Sequence, residues 1–191
     1  QLEYVDLVLP SLPLENVATA LQLLVQVYPA LSVDDINLGL KNAQLSGRLQ
    51  QFDRPYSGIL DVGHNPQAAK LLNDHLISHP INGKRYALFA MLKDKDALSV
   101  VESMSAINEW HVAGLAGYRG QTCHELNHKV SGAIEVSGKY ESVANGLEAL
   151  KDIVSVDDQV IIFGSFLTVA NAQQWLDSLS LQLQSNIEVE G

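Results

Sequence analysis

From residue 58 onward, short apolar runs alternate with helix-length stretches, and this alternation constrains the fold more than any other feature of the chain. Gly58-Ile59-Leu60-Asp61-Val62 reads as a short buried strand, followed by a helix over residues 66–79 that Asn65 caps and Pro66 starts. Strands are then expected at residues 86–91, 110–115, 133–136 and 159–163. Helices are expected between and after them, at residues 96–107, 122–130, 141–151 and 168–179. Strands separated by helices of this length form right-handed parallel βαβ units. The expected fold class is therefore α/β: a doubly wound, mostly parallel, Rossmann-like sheet. A β-hairpin over residues 48–62, turned at Asp53-Arg54-Pro55-Tyr56, opens it.

The segment before Gly47 has a different texture. Pro10 and Pro13 punctuate it, and a strongly apolar helix pattern follows over residues 15–27, with Val17, Leu21, Leu24 and Val25 on one face. Ser32-Val33-Asp34-Asp35 signals a second helix start, continuing through Ile36, Leu38 and Leu40 to about Ala43. The division expected is a helical segment over residues 1–46 and an α/β domain over residues 47–191.

Composition excludes several function classes. Twelve Lys and Arg stand against 22 Asp and Glu, a net charge of −10, which disfavours nucleic acid and anionic membranes as partners. The longest uninterrupted apolar stretches are far too short to span a bilayer. One cysteine, Cys123, rules out a disulfide framework and a Cys-rich zinc site, which suits a cytoplasmic location. The start at Gln1 and the lack of a signal-peptide pattern lead to the expectation of a piece of a longer soluble protein.

Ligands of doubly wound sheets sit outside the carboxyl ends of the strands. Those ends are expected at residues 61–65, 91–96, 115–120 and 164–168. Asp61 at a strand end can accept two ribose hydroxyl hydrogen bonds, and His64 stands just before a helix N-terminus that favours anions. Equally, Asn65 and Pro66 can simply start a helix while His64 packs. Lys93 and Lys95 share a turn with Asp94 and Asp96, where a lysine can hold a substrate carboxylate or a polar loop can merely be solvated. Ser165 can present its hydroxyl and nearby N–H groups to an anion, or cap the last helix.

His124-Glu125-Leu126-Asn127-His128 is formally an H-E-x-x-H zinc signature. Its extended form fails here, because Ser131 stands in place of the glycine and Ile134 in place of the third histidine. The expectation is no metal at this helix, nor at His75 and His79, which read as solvent-facing. The chain contains neither G-x-x-x-x-G-K-[ST] nor G-x-G-x-x-G, so no phosphate cradle of either type is encoded.

Several phrases, in order and with consistent spacing, resemble one family. They are Leu12-Pro13-Leu14-Glu15-Asn16-Val17-Ala18-Thr19-Ala20-Leu21, Gly47-Arg48-Leu49-Gln50, Asp61-Val62-Gly63-His64-Asn65-Pro66, Met91-Leu92-Lys93-Asp94-Lys95-Asp96, Arg119-Gly120, and Gly164-Ser165-Phe166-Leu167-Thr168-Val169-Ala170. Together they resemble the carboxyl-terminal part of the bacterial bifunctional dihydrofolate synthases/folylpolyglutamate synthases, members of the ATP-dependent Mur ligase superfamily. Tyr118 departs from the proline usual before the Arg-Gly pair, and Gly63 from a common alanine.

The resemblance implies an ATP- and Mg²⁺-dependent amide ligase whose partners are dihydropteroate or folate, L-glutamate and ATP. It implies that Asn16 reads adenine, that Arg48 reaches the nucleotide, and that Asp61 and His64 make ribose and inter-domain contacts. By superfamily analogy, Lys95 and Ser165 receive the carboxylates of the incoming glutamate. Residues 1–46 would then be the tail of the central ATPase domain. The P-loop, the magnesium ligands and most of the folate site would lie in an amino-terminal domain outside this chain, leaving the chain inactive alone. The rival reading is a non-catalytic Rossmann-like binding or regulatory module.

Overall fold

A computed structural model describes residues 5–10, 12, 14–43 and 45–189, with side chains described through residue 182. Pro13, one of the two punctuating prolines, lies outside the described residues. The chain separates into two compact units, residues 1–50 and 51–191.

The first unit holds α1 (Leu14–Val27) and α2 (Val33–Asn42). Ser32 starts α2 with a reciprocal cap: its hydroxyl accepts from the Asp35 N–H at 3.2 Å, and the Asp35 carboxylate accepts the Ser32 N–H at 3.1 Å. Val17, Ile36 and Leu40 form a small buried cluster, flanked by Leu21, Val25 and Leu31. The apolar residues ahead of α1 are fastened to α2 by Asn37. Its Oδ1 accepts the Val8 N–H at 2.8 Å, and its Nδ2 donates to the Asp6 carbonyl at 3.1 Å.

The remainder alternates strand and helix as expected. In order come β1 (Gln50–Phe52), β2 (Gly58–Asp61), α3 (Pro66–Ser78), β3 (Arg85–Phe89), α4 (Ala97–Glu102) and β4 (Glu109–Ala113). Then follow α5 (Cys123–Val130), β5 (Val136–Tyr140), α6 (Val143–Leu150), β6 (Gln159–Phe163) and α7 (Phe166–Val189). The strands form one six-stranded sheet in the order β1-β2-β6-β3-β4-β5. All pairs from β2 to β5 are parallel, and β1 is antiparallel to β2. Because side chains alternate across a strand, Leu60, Leu88 and Ile162 share one face with α6 and α7. Ile59, Phe89 and Ile161 point to the opposite face. There, α3, α4 and α5 pack side by side.

Several element boundaries differ from the sequence reading: β3 and β4 each end two residues earlier than expected, at Phe89 and Ala113, and four further elements shift. Helix α4 ends at Glu102 rather than near residue 107, because Asn73 Oδ1 captures the Ala106 N–H at 2.9 Å and draws the chain off the helical path. Strand β5 covers residues 136–140 rather than 133–136. The Ala133 and Ile134 N–H groups donate to the Val130 carbonyl at 2.9 and 3.1 Å, closing α5 and delaying the strand. Helix α6 begins at Val143, after Ser142 caps it through the Asn145 N–H at 3.2 Å. Helix α7 starts two residues early and continues ten residues past residue 179, since no Gly or Pro occurs within Phe166–Val189 to stop it.

Candidate functional site

Asp61 is the last residue of β2 and pairs in register with Phe163 of β6. Its side chain is nearly covered, at 5% exposure, and its Oδ1 accepts the Gly63 N–H at 2.7 Å. That bond turns the chain sharply toward α3. Asn65 then caps the helix, its Oδ1 accepting the Ala68 N–H at 2.8 Å, with Pro66 in the first turn. His64 Nδ1 lies 3.0 Å from the Val62 carbonyl. A carbonyl only accepts, so Nδ1 carries the proton in the neutral ring and Nε2 is left as an acceptor. The His64 ring lies 6.2 Å, centroid to centroid, from that of Phe166 at the start of α7.

On the neighbouring strand, Gly164 follows β6 at φ +118°, where a Cβ would come 2.5 Å from the Ala90 carbonyl oxygen. Only glycine fits that turn. Ser165 is 3% exposed. Its Oγ accepts the Thr168 N–H at 3.0 Å, which caps α7. The Thr168 hydroxyl donates to the Ala90 carbonyl at 2.5 Å, so the Ser165 hydroxyl is the donor in the 2.7 Å contact between the two. The capping role is thus the one displayed, with the Ser165 proton already engaged.

The loop after β3 runs from Met91 to Asp96. Lys95 is half-buried, its N–H donates to the Leu92 carbonyl at 3.2 Å, and it has no ion pair among the described residues. Asp96 caps α4 through the Ser99 N–H at 3.1 Å and hydroxyl at 2.6 Å, and these bonds hold its carboxyl below the usual range. Asp94 receives Arg119 in a two-pronged ion pair, Nε to Oδ1 at 3.0 Å and Nη2 to Oδ2 at 2.6 Å. The guanidinium lowers the Asp94 pKa, and the carboxylate raises that of Arg119. Gln121 Nε2 donates to the Met91 carbonyl at 2.8 Å from a nearly buried position.

Asp61, His64, Ser165 and Lys95 therefore all lie at the carboxyl ends of three consecutive strands, β2, β6 and β3, which span roughly 10 Å at the usual strand spacing. Asn16 and Arg48 belong to the first unit. Asn16 is exposed on α1 at a mostly apolar cleft of about 450 Å³ between α1 and α2, which Asp35 also lines. Arg48 is half-buried in a tight turn, its N–H donating to the Leu45 carbonyl at 3.0 Å, between Gly47 at φ +70° and Leu49 at φ +47°.

Glu125, the glutamate of the H-E-x-x-H segment, is used to start α5. Its carboxylate accepts the Thr122 N–H at 2.7 Å and hydroxyl at 2.9 Å, which lowers its pKa. Among the described residues, no three His, Cys, Asp or Glu side chains gather into a metal-holding group. Nor is any helix there long and apolar enough to cross a membrane. Sequence reading missed Thr168 and Gln121 as supports of the β3 end, and the pairing of Asp94 with Arg119. For Thr168 a signal existed in the Ser165-x-x-Thr168 spacing of a cap; the other two join residues about 25 to 30 positions apart.

The fold agrees with that of known proteins. The chain is 34% identical over 175 residues to the dihydrofolate synthase/folylpolyglutamate synthase of Escherichia coli (strain K12), covering 91% of this chain and 40% of that protein. It is 38% identical over 183 residues to the Haemophilus influenzae protein of the same name, covering 84% and 41%. Among solved structures, E. coli FolC in complex with DHPP and ADP superposes with a TM-score of 0.83 at 34% identity, covering 93% of this chain and 42% of that one. The Yersinia pestis bifunctional enzyme complexed with AMPPNP and Mn ion gives 0.80 at 36%, covering 91% and 42%. The chain thus spans about two fifths of the length of these relatives. Residues 47–166 match the family described as Mur ligase, glutamate ligase domain. The chain belongs to the Mur ligase family and carries its glutamate ligase domain.

Proposed function

We propose that this chain is the carboxyl-terminal part of a cytoplasmic, ATP-dependent ligase that adds L-glutamate to dihydropteroate and to the γ-carboxylate of folates. The carrying observation is the convergence of Asp61, His64, Lys95 and Ser165 on the carboxyl edge of a glutamate ligase domain. In the reaction, the acceptor carboxylate takes the γ-phosphoryl group of ATP to form an acyl phosphate. The glutamate amine then attacks the carbonyl carbon, the amine proton is lost and phosphate leaves. Such phosphoryl transfer depends on positioning and charge neutralisation more than on covalent help from the protein.

In this reading Asp61 accepts hydrogen bonds from the ribose, and His64 Nε2 contacts the nucleotide beside it. Asn16 is assigned to adenine and Arg48 to the nucleotide. Lys95 and the α7 N-terminus at Ser165 receive the carboxylates of L-glutamate, the helix end favouring an anion. Mg²⁺ accompanies ATP in this chemistry, as the Mn ion accompanies AMPPNP in the Yersinia relative. The described residues do not assemble a donor set for it. We assign the ion and the phosphate cradle to the rest of the proposed ligase, and expect no turnover from these 191 residues alone.

Asp61→Ala in the complete ligase tests the site. A lost charged hydrogen bond costs about 1.5–3 kcal/mol, so kcat/KM for ATP should fall roughly 10- to 100-fold. Circular dichroism should report an intact fold. A folded variant with unaltered ATP kinetics would remove Asp61 from the nucleotide site.

A further inference from the structure

Lys95 sits between two carboxylates, Asp94 and Asp96, either of which could fold onto its ammonium and neutralise it. Neither does. Asp96 is held by the first turn of α4 through Ser99. Asp94 is held by Arg119, which reaches it from the next strand–helix loop with two hydrogen bonds. The β4–α5 loop is shaped to deliver that arginine. Gly117 turns at φ +96°, and a Cβ on Gly120 would lie 1.9 Å from the Leu115 carbonyl oxygen, so the loop closes only with glycine at that point.

Further contacts join the two loops. The Lys93 N–H donates to the Arg119 carbonyl at 3.0 Å, and Lys129 Nζ donates to the Lys93 carbonyl at 2.8 Å. Lys93 Nζ stands 4.9 Å from the centroid of the Tyr118 ring, and Gln121 holds the Met91 carbonyl. The backbone on either side of Lys95 is therefore fixed while its charge stays available.

We infer that the Asp94–Arg119 pair is a positioning clamp: it fixes the β3–α4 loop against the β4–α5 loop and keeps Asp94 from closing an ion pair on Lys95, leaving the Lys95 ammonium for a carboxylate of the incoming amino acid. The inference rests on the assignment of Lys95 to glutamate. Arg119 acts through Lys95 and is not itself a glutamate ligand. Without the guanidinium, the released Asp94 carboxylate competes with substrate for Lys95.

This charge logic separates a clamp from simple structural support. In the complete ligase, Arg119→Ala should raise KM for L-glutamate roughly tenfold, about the size of one charge-assisted contact, with KM for ATP within about twofold of wild type. Arg119 is an exposed side chain, so the variant should fold, as circular dichroism can verify. Adding Asp94→Asn to Arg119→Ala removes the competing charge and should recover at least about threefold of the lost glutamate affinity. A structural brace predicts no recovery, since the double variant lacks the same contact.

Lys95→Ala separates the layers. A raised KM for glutamate in Lys95→Ala, with Arg119→Ala at the wild-type value or with no recovery in the double variant, would overturn the clamp alone. An unchanged KM in Lys95→Ala would overturn the glutamate assignment and the clamp together.

Discussion

The two units of the chain put the same apolar residue types to opposite use. In residues 51–191, helices lie on both faces of the sheet, and Leu60, Leu88, Phe89, Ile161, Ile162 and Phe163 are fully buried or nearly so. In residues 1–50, the buried apolar set among the described residues is Val17, Ile36 and Leu40, while Leu23 and Val27 stand 61% and 68% exposed. A βαβ sheet brings its own cover with each crossover. A two-helix unit does not, because apolar residues distributed around α1 exceed what a single neighbouring helix can shield. Exposed apolar surface of this kind marks a face made to meet another body. In the proposed ligase that body is the rest of the ATPase domain.

Core substitutions should break the comparison most visibly. Phe89 packs against Phe163 and Trp110 with ring centroids 5.0 and 6.2 Å away, and Phe89→Ala should destabilise the second unit by about 3–5 kcal/mol in urea denaturation. Leu23→Ala on the exposed side of α1 should cost less than about 1 kcal/mol. Equal costs at the two positions would erase the distinction between a closed and an unclosed core.

Limited proteolysis probes a smaller difference, that of local opening. Early cuts should fall before Gly47 and leave a resistant fragment that starts near it, as expected where few buried contacts hold the backbone. Early cuts within β3 or β6 would reverse the ranking of the two units.

Acid should produce the smallest effect, and it should divide between the units. All six histidines lie in the second unit. Burial pushes the His111 imidazole below its ordinary value of 6.5, against the opposing pull of Glu109, 3.4 Å away. Burial lowers His75 too, helped by His79 and Arg85. Both sites favour the neutral ring when folded, so the unfolded chain binds more protons once the pH drops below about 6.5. Stability should be flat above that point and decline below it. In the first unit, Asp35 is lowered by its Ser32 bonds, so its contribution persists above its ordinary value of 3.8 and is lost only as the pH falls through the lowered carboxyl range. Melting curves at pH 7, 6 and 5 measure this. A double His75→Gln/His111→Gln variant that keeps the full decline would show that other groups cause it.

Much of the architecture was legible because the chain states it locally. The apolar run of β6 ending in Gly164, and Asn65-Pro66 opening α3, are decided by neighbours in sequence. Strand β5 was misplaced because it is an edge strand of alternating exposure, and its polar residues give no apolar run to find. Helix α4 was overextended because its end depends on Asn73, 33 residues away from the amide it captures. The site divides along the same line. Asp61 and His64 stood out from local position together with family resemblance. The Asp94–Arg119 pair could not be read, since nothing in a sequence says which loop charges will face each other.

The sheet's two margins also bear on how this protein behaves in a crowded solution. Strand β1 is only three residues long, and β5 pairs with β4 through a register shift between Trp110 and His111. A strand edge left straight and apolar is a template on which a stranger's backbone can zip. A short edge and an irregular, partly polar one are poor templates. Sheet-to-sheet pairing is therefore disfavoured at both margins by shape.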